Sequence, residues 1–302
     1  MPRVSIIVPH LNTPEHLVRA LQSLARQEID HGGFEILVVD NGSRIPLDPV
    51  KAAWPEVRFL VERTPGPGPA RNLGVAEARA DILAFVDADV RVLDGWLQAA
   101  LDGLARHPDG PVGGEVTISA DDPERMTGVE AFEAVFSFRQ KEFIERDKYS
   151  VTANLIMHRH VHEAIGPFGG LNVPEDLEFG QRGAAMGRPT NYAPAMHALH
   201  PARRDLADMR AKWHRLSVQA LSAHEAAGKP LWQWDARALA VIVSALPHSL
   251  MMMGSSRIEG LANRLRGLAF LYRIRWLRAM DMLALSRAAR RGQHVTAAGW
   301  NA

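Results

Sequence analysis

The sequence predicts an α/β protein built on one mostly parallel sheet flanked by helices, with a helical extension at its C-terminal end. Three observations carry that prediction. Short β-rich runs alternate with helical patterns through the first hundred residues, the runs are almost continuously apolar, and from about residue 206 the pattern becomes helical only. Alternation of this kind with continuous apolar strands is the signature of a parallel sheet covered on both faces.

The predicted strands of the first half are Val4–Pro9, Glu35–Val39, Val57–Val61 and Ile82–Val86. Between them, Pro14–Gln27 carries Leu17, Leu21 and Leu24 at helical spacing, behind Thr13 as N-cap and Pro14 as first helical residue. Ala70–Ala80 and Gly95–His107 read as further helices. Beyond residue 110, Pro111–Ile118 and Ser150–His158 read as strands and Met126–Arg146 as one long helix. Glu175–Met186 is a helix stopped by Gly187, and Leu206–Ala227 is one stopped by Gly228. The expected division is a domain over residues 1–205, in two halves (1–95 and 96–205), and an α-helical extension over 206–302.

Composition narrows the chemistry. With 302 residues, 47% hydrophobic and 23% charged, the chain has ample apolar material for a core. There is no cysteine, so disulfides, zinc–thiolate centres and cysteine nucleophiles are excluded. Net charge is +1, and no nucleic-acid-binding motif is present, so nucleic acid is not an expected partner. The apolar stretch after Met1-Pro2-Arg3 is too short for a signal-peptide core and reads as the first strand, which predicts a cytoplasmic protein.

In open α/β sheets, ligands bind beyond the carboxyl ends of the strands. Polar clusters stand at three such ends: Pro9-His10-Leu11-Asn12, Asp40-Asn41-Gly42-Ser43 and Asp87-Ala88-Asp89. The i, i+2 carboxylates Asp87 and Asp89 can serve one hard cation, Mn²⁺ or Mg²⁺, of the kind a diphosphate leaving group needs. Asp40 can accept a hydrogen bond from a base or ribose, or merely cap an Asn-Gly turn. Pro65–Asn72 is a stiff, side-chain-poor loop opening a helix, with Gly68, Arg71 and Asn72 as candidates for phosphate, base or ribose contact. Glu175 and Asp176 either deprotonate an acceptor hydroxyl or cap a helix; Arg182 is placed to pair with Glu178. His200 is preferred over His197 as a metal ligand beside Asp89.

In order and spacing these pieces resemble family 2 glycosyltransferases of the GT-A fold. The matching stretches are Val4–Pro9 with Asn12, Ile36–Ser43, Gly68–Gly74, Ile82–Asp89, Thr152–Asn154, Gly166–Gly169 and Glu175–Glu178 with Arg182. The resemblance covers about residues 3–205 and implies a nucleotide-sugar-binding half over 1–95 and an acceptor-binding half over 96–205. It implies inverting transfer from a nucleotide diphosphate sugar, usually with Mg²⁺ or Mn²⁺ and with uridine as the usual base. It implies that Pro9, Asn12 and Asp40 hold the base and ribose, that Arg71 lies by the base or phosphate, and that Asp87 and Asp89 serve ribose and metal. Asp176 would be the general base, supported by Glu175 or Arg182, and His200 a metal or diphosphate ligand. Leu11 stands where an aromatic residue commonly precedes the Asn, and the Gln-x-x-Arg-Trp signature of processive members is absent, so one or a few sugars are expected to be transferred. A sugar nucleotidyltransferase would carry a Gly-rich basic loop after the first strand, where this chain has His10–Thr13. A non-catalytic sugar-nucleotide-binding protein would not need Asp87, Asp89 and Asp176 together.

The last hundred residues differ in character. Ala236–Met253 is strongly apolar but interrupted by Ser244, Pro247, His248 and Ser249, which makes it a marginal spanning helix. Arg257–Arg291 holds nine arginines against Glu259 and Asp281, with an apolar stripe of Leu261, Leu265, Leu268, Tyr272 and Leu283. Three readings follow: helices on an anionic membrane surface, which would suit a lipid-linked glycan acceptor on the cytoplasmic face of the inner membrane; an annex packed on the catalytic domain; or a homodimer interface.

Overall fold

A computed structural model describes residues 2–29, 33–171, 173–203 and 205–293. Residues 294–302, the end of the expected extension, and Asn172 of the Gly169–Pro174 loop lie outside the described residues. In chain order the elements are β1 (Val4–His10), α1 (Pro14–Ala25), β2 (Phe34–Asp40), α2 (Asp48–Ala53), β3 (Arg58–Val61), α3 (Pro67–Glu77), β4 (Ile82–Val86), β5 (Arg91–Val92), α4 (Trp96–Arg106) and β6 (Val112–Ser119). They continue with α5 (Gly128–Phe136), α6 (Gln140–Glu145), β7 (Asn154–His158), α7 (Arg159–Ile165), α8 (Glu175–Ala185), β8 (Asn191–Pro201), α9 (Leu206–Ala226), α10 (Leu231–Val243), α11 (Ala245–Gly254) and α12 (Leu261–Arg290).

One eight-stranded sheet runs in the order β3-β2-β1-β4-β7-β6-β8-β5. The expected parallel sheet is the half β3-β2-β1-β4; β7 then pairs antiparallel with β4 and with β6, and β5 antiparallel with β8, so the whole sheet is mixed. In the register, His10 stands opposite Asp40 and Asp40 opposite Val61, which brings the ends of β1, β2 and β3 to one edge. The strands of the parallel half are buried on both faces: Ile6, Val8 and Val38 pack with α1 and α4, and Ile7, Val39 and Phe85 pack with Ala70, Val161 and Phe179 on the other side.

The chain forms two compact units. Among the described residues, the first joins those up to Thr117 with Phe138–His200, and the second joins Ile118–Ser137 with those from Pro201 to Gln293. The second unit has its own apolar core, in which Phe132, Met209, Met252 and Phe270 pack together.

Several elements differ from the sequence reading, and α2, β5 and β8 are additions to it. The expected single helix over Met126–Arg146 is two helices, α5 and α6, separated at Ser137–Arg139, where Phe138 has a left-handed φ of 46°. A bulky residue in that region ends a helix that hydrophobic spacing alone would continue. Helix α3 begins three residues earlier than expected, at Pro67, because Pro67 and Pro69 lie in its first turn, where a missing N–H costs nothing. Helix α7 was not predicted at all; its seven residues are too few to show a helical period.

Candidate active site

Two polar clusters occupy the carboxyl edge of the parallel strands. The first joins the ends of β1 and β2. Asp40 Oδ1 lies 3.1 Å from His10 Nδ1 and accepts the Ser43 hydroxyl at 2.5 Å, while Asp40 Oδ2 accepts the Ser43 N–H at 3.2 Å. His10 Nε2 accepts the Thr13 N–H at 3.1 Å, so hydrogen bonding assigns the ring proton to Nδ1, facing Asp40. Burial lowers the pKa of His10 against the opposing pull of Asp40, which keeps the ring neutral. Asn12 adopts a left-handed φ of 55°, a conformation Asn tolerates, with its N–H on the Ser43 hydroxyl and its side-chain carbonyl accepting the Arg44 N–H. Pro9, just before this turn, is partly exposed. Asn41 ties the next loop into the same edge: its amide donates to the Glu62 and Thr64 carbonyls, and its oxygen accepts the Gly66 N–H at 2.7 Å.

The second cluster is centred on Arg71, in α3. Its side chain is buried, and its guanidinium donates to Asp87 at 2.7 Å and to Glu175 at 3.2 Å. Burial opposes the charge of Arg71, but Asp87, Asp176 and Glu175 outweigh it and hold its pKa well above the usual value. Asp176 lies beside Glu175 at the start of α8 and accepts the Thr152 hydroxyl at 2.7 Å. Burial first, then the neighbouring Glu175, pushes the Asp176 carboxyl up to about 7, against the opposing pull of Arg71 and Thr152. A half-buried carboxyl whose pKa sits near neutrality is suited to proton transfer.

Asp89 lies outside that cluster and faces His200, with Oδ2 and Nε2 3.4 Å apart; the His200 ring lies against Phe138, centroids 4.7 Å apart. His197 instead bonds Thr117, at 2.9 Å. Among the described residues no three His, Asp or Glu side chains converge on one point. The residues present nevertheless fit a divalent cation held jointly with a nucleotide. Such ions take one or two protein ligands and complete their shell with phosphate oxygens and water. A carboxylate with an imidazole favours Mn²⁺ over Mg²⁺, which prefers oxygen alone.

The remaining predicted residues lie elsewhere. The Asn72 side chain clamps the backbone of Phe168, donating to its carbonyl and accepting its N–H, both at 2.9 Å. Arg182 donates to the Pro167 carbonyl at 2.6 Å and pairs with Glu178 at 3.3 Å. Both therefore brace the Gly166–Gly169 turn. A Cβ on Gly68 would stand 1.8 Å from the carbonyl oxygen of Gly169, so this glycine permits close approach of the same turn. With Pro67 and Pro69 in the first turn, the start of α3 offers few N–H groups to a phosphate. Thr152 and His10, which orient the two acids, stand in stretches that the sequence reading singled out, but it gave neither its acidic partner. Their partners are 24 and 30 positions away: the β1–β2 register sets His10 against Asp40, and the approach of α8 to the chain just before β7 sets Asp176 against Thr152.

The α/β sheet thus gathers acids at the carboxyl edge of its parallel strands, two of them paired to a buried arginine. Residues 5–171 match the profile of glycosyl transferase family 2, and the chain belongs to that family. It is a glycosyltransferase, which sets aside the nucleotidyltransferase and non-catalytic readings. It is 29% identical over 209 residues to the glycosyltransferase AglE of Haloferax volcanii, covering 67% of this chain and 68% of that protein. To the pre-mycofactocin glycosyltransferase of Mycobacterium tuberculosis it is 25% identical over 217 residues, 69% of this chain but only 45% of the relative's length. Among solved structures, Staphylococcus aureus TarS 1-349 in complex with UDP-GlcNAc aligns over 96% of this chain and 92% of its own, with TM-score 0.51 and 16% identity. GalNAc-T7 with UDP, GalNAc and Mn²⁺ aligns over 67% and 44%, with TM-score 0.52 and 14% identity. At those identities the two structures show the GT-A fold.

Proposed function

We propose that the chain transfers one sugar from a nucleoside diphosphate sugar, with uridine the favoured base, to a hydroxyl of a glycan or lipid-linked acceptor, with inversion at the anomeric carbon. The observation that carries this reading is the raised carboxyl of Asp176, held by Thr152 beside the Arg71 cluster. TarS and GalNAc-T7, whose structures hold UDP or UDP-GlcNAc, support the choice of donor.

In this reading the rim formed by Pro9, Asn12 and Asp40 takes the base and ribose, with His10 and Ser43 fixing the Asp40 carboxylate. Arg71 is a positioning residue: it pairs with Asp87 and Glu175, and Asp87 faces the ribose. Asp89 and His200 would hold Mn²⁺, which when bound neutralises charge developing on the diphosphate. Thr152 donates to Oδ1 of Asp176 and leaves Oδ2 to take the acceptor's proton. The acceptor oxygen then bonds to the anomeric carbon as the bond to the diphosphate oxygen breaks on the opposite face, and the nucleoside diphosphate departs with the bonding electrons. Asn72, Arg182 and Gly68 act on the site only through the turn they brace.

The test is release of nucleoside diphosphate from a panel of donors with Mn²⁺, compared between wild type and Asp176→Asn. The proposal expects one donor to turn over and the variant to bind it without turnover. A variant as active as wild type removes Asp176 as the base.

A further inference from the structure

The helical unit carries an apolar surface that its own fold does not cover. Helices α10 and α11 follow one another through Ser244, whose φ and ψ stay helical (−61°, −15°), and Pro247 sits in the first turn of α11, where its missing N–H is tolerated. The stretch Leu231–Gly254 is 24 residues long, long and apolar enough to cross a membrane. It has two apolar faces. Trp234, Ala238, Ala245 and Met252 are buried, and the Trp234 indole donates to the Met282 carbonyl of α12 at 3.0 Å. Trp232, Leu239, Val243, Leu246 and Leu250 recur at steps of seven, four, three and four and are 57% to 77% exposed. A helix apolar all round belongs in a core or in lipid, and only one side of this one is in a core.

Helix α12 repeats the pattern. Its buried side chains include Phe270, Ile274 and Met282, while Leu261 and Leu265 of the stripe read from sequence, with Tyr272 and Trp276, stand exposed. Charge tells what covers these faces. Residues 231–293 hold ten arginines against Asp235, Glu259 and Asp281. Two copies of such a surface repel each other, whereas an anionic lipid surface attracts it. Exposed Trp232, Tyr272 and Trp276 suit the depth of lipid headgroups, where amphipathic rings concentrate. The same charge decides the orientation. Helix α12 carries seven arginines, and each costs about 3 kcal/mol at the centre of a bilayer. Because α10 packs along α12, neither crosses.

We propose that the C-terminal helical unit is an interfacial membrane anchor: α10, α11 and α12 lie in the plane of an anionic lipid surface with the Leu239–Leu250 face in the acyl boundary and the arginines at the headgroups. This inference names a partner for the enzyme and does not depend on the transfer mechanism.

Sedimentation of the full chain with vesicles tests it. The probes are phosphatidylcholine vesicles and phosphatidylcholine vesicles containing phosphatidylglycerol, with wild type, the pair Leu246→Glu/Leu250→Glu, and Ile45→Glu as an exposed apolar control in the other unit. Wild type and the control should pellet with the anionic vesicles, at least about tenfold more weakly with neutral ones, and at least about tenfold more weakly for the double variant. Unchanged thermal melting checks that the double variant folds, and the comparison of lipids on wild type stands without it. Failure of wild type to bind anionic vesicles overturns the proposal. So does a dimer, seen by light scattering without lipid, that the double variant dissociates, since a second copy would then cover the face.

Discussion

Arg71 and Arg278 are both largely withdrawn from water, and they show how differently the two units use charge. Arg71, in the α/β unit, has Asp87 and Glu175 on its guanidinium and Asp176 close by, and its pKa is raised. Arg278, in the helical unit, lies over the Trp213 ring, its Cζ 3.9 Å from the centroid, with Arg275 and Arg237 as charged neighbours. Burial, then those two arginines, lowers it to about 10. The first arginine organises acids into a site. The second belongs to a surface with too few acids to organise, and the helical unit leaves its positive charge and its leucines for something outside the chain. A desolvated charge is tolerated either by pairing or by packing on an aromatic face.

The comparison can be broken first at Asp176. Asp176→Asn should lower turnover by about a thousandfold, the usual weight of a general base, with donor affinity retained in a binding titration. Its stability should move the other way. A carboxyl with a folded-state pKa above its ordinary value weakens the fold as pH rises from the ordinary carboxylate range toward 7. The variant should therefore melt no lower than wild type above pH 7, and a clearly lower melting temperature would mean that Asp176 is structural.

The two arginines come next. Arg71→Met leaves two carboxylates without their partner and should cost about 3 to 5 kcal/mol in denaturant unfolding, whereas Arg278→Met, with no acid to orphan, should cost about 1 kcal/mol. Equal costs would dissolve the contrast. The smallest effect is on pH dependence: turnover at saturating donor should rise with pH to a plateau with its midpoint near 7, as Asp176 loses its proton. A flat profile from pH 5 to 9 would assign the base elsewhere.

Much of the α/β unit was legible in the sequence because its strands are continuous apolar runs ended by polar turns. Ile82–Val86 stands as read, and the acids that follow it are where the register requires them. The partners of those acids were not legible. Nothing in the local sequence shows that Arg71 is buried beneath Asp87 and Glu175, or that Asn72 and Arg182 use their hydrogen bonds on Phe168 and Pro167 rather than facing an open cleft. Those contacts span 15 and 16 positions or about a hundred, and local spacing carries no record of them. In α12 the limit is different. Leu261, Leu265 and Tyr272 form a regular stripe, but Phe270 and Ile274 form the side that is packed. Periodicity finds apolar faces, and a helix with two of them does not say which one the fold uses.

Calorimetric titration of UDP-sugars into wild type and Asp89→Ala, with Mn²⁺ and then with chelator, tests the central claim most directly. The account predicts that one donor binds wild type with Mn²⁺, that binding weakens at least about tenfold with chelator, and that Asp89→Ala behaves with Mn²⁺ as wild type does with chelator. Donor binding indifferent to both metal and Asp89, or no binding of any donor, would contradict it.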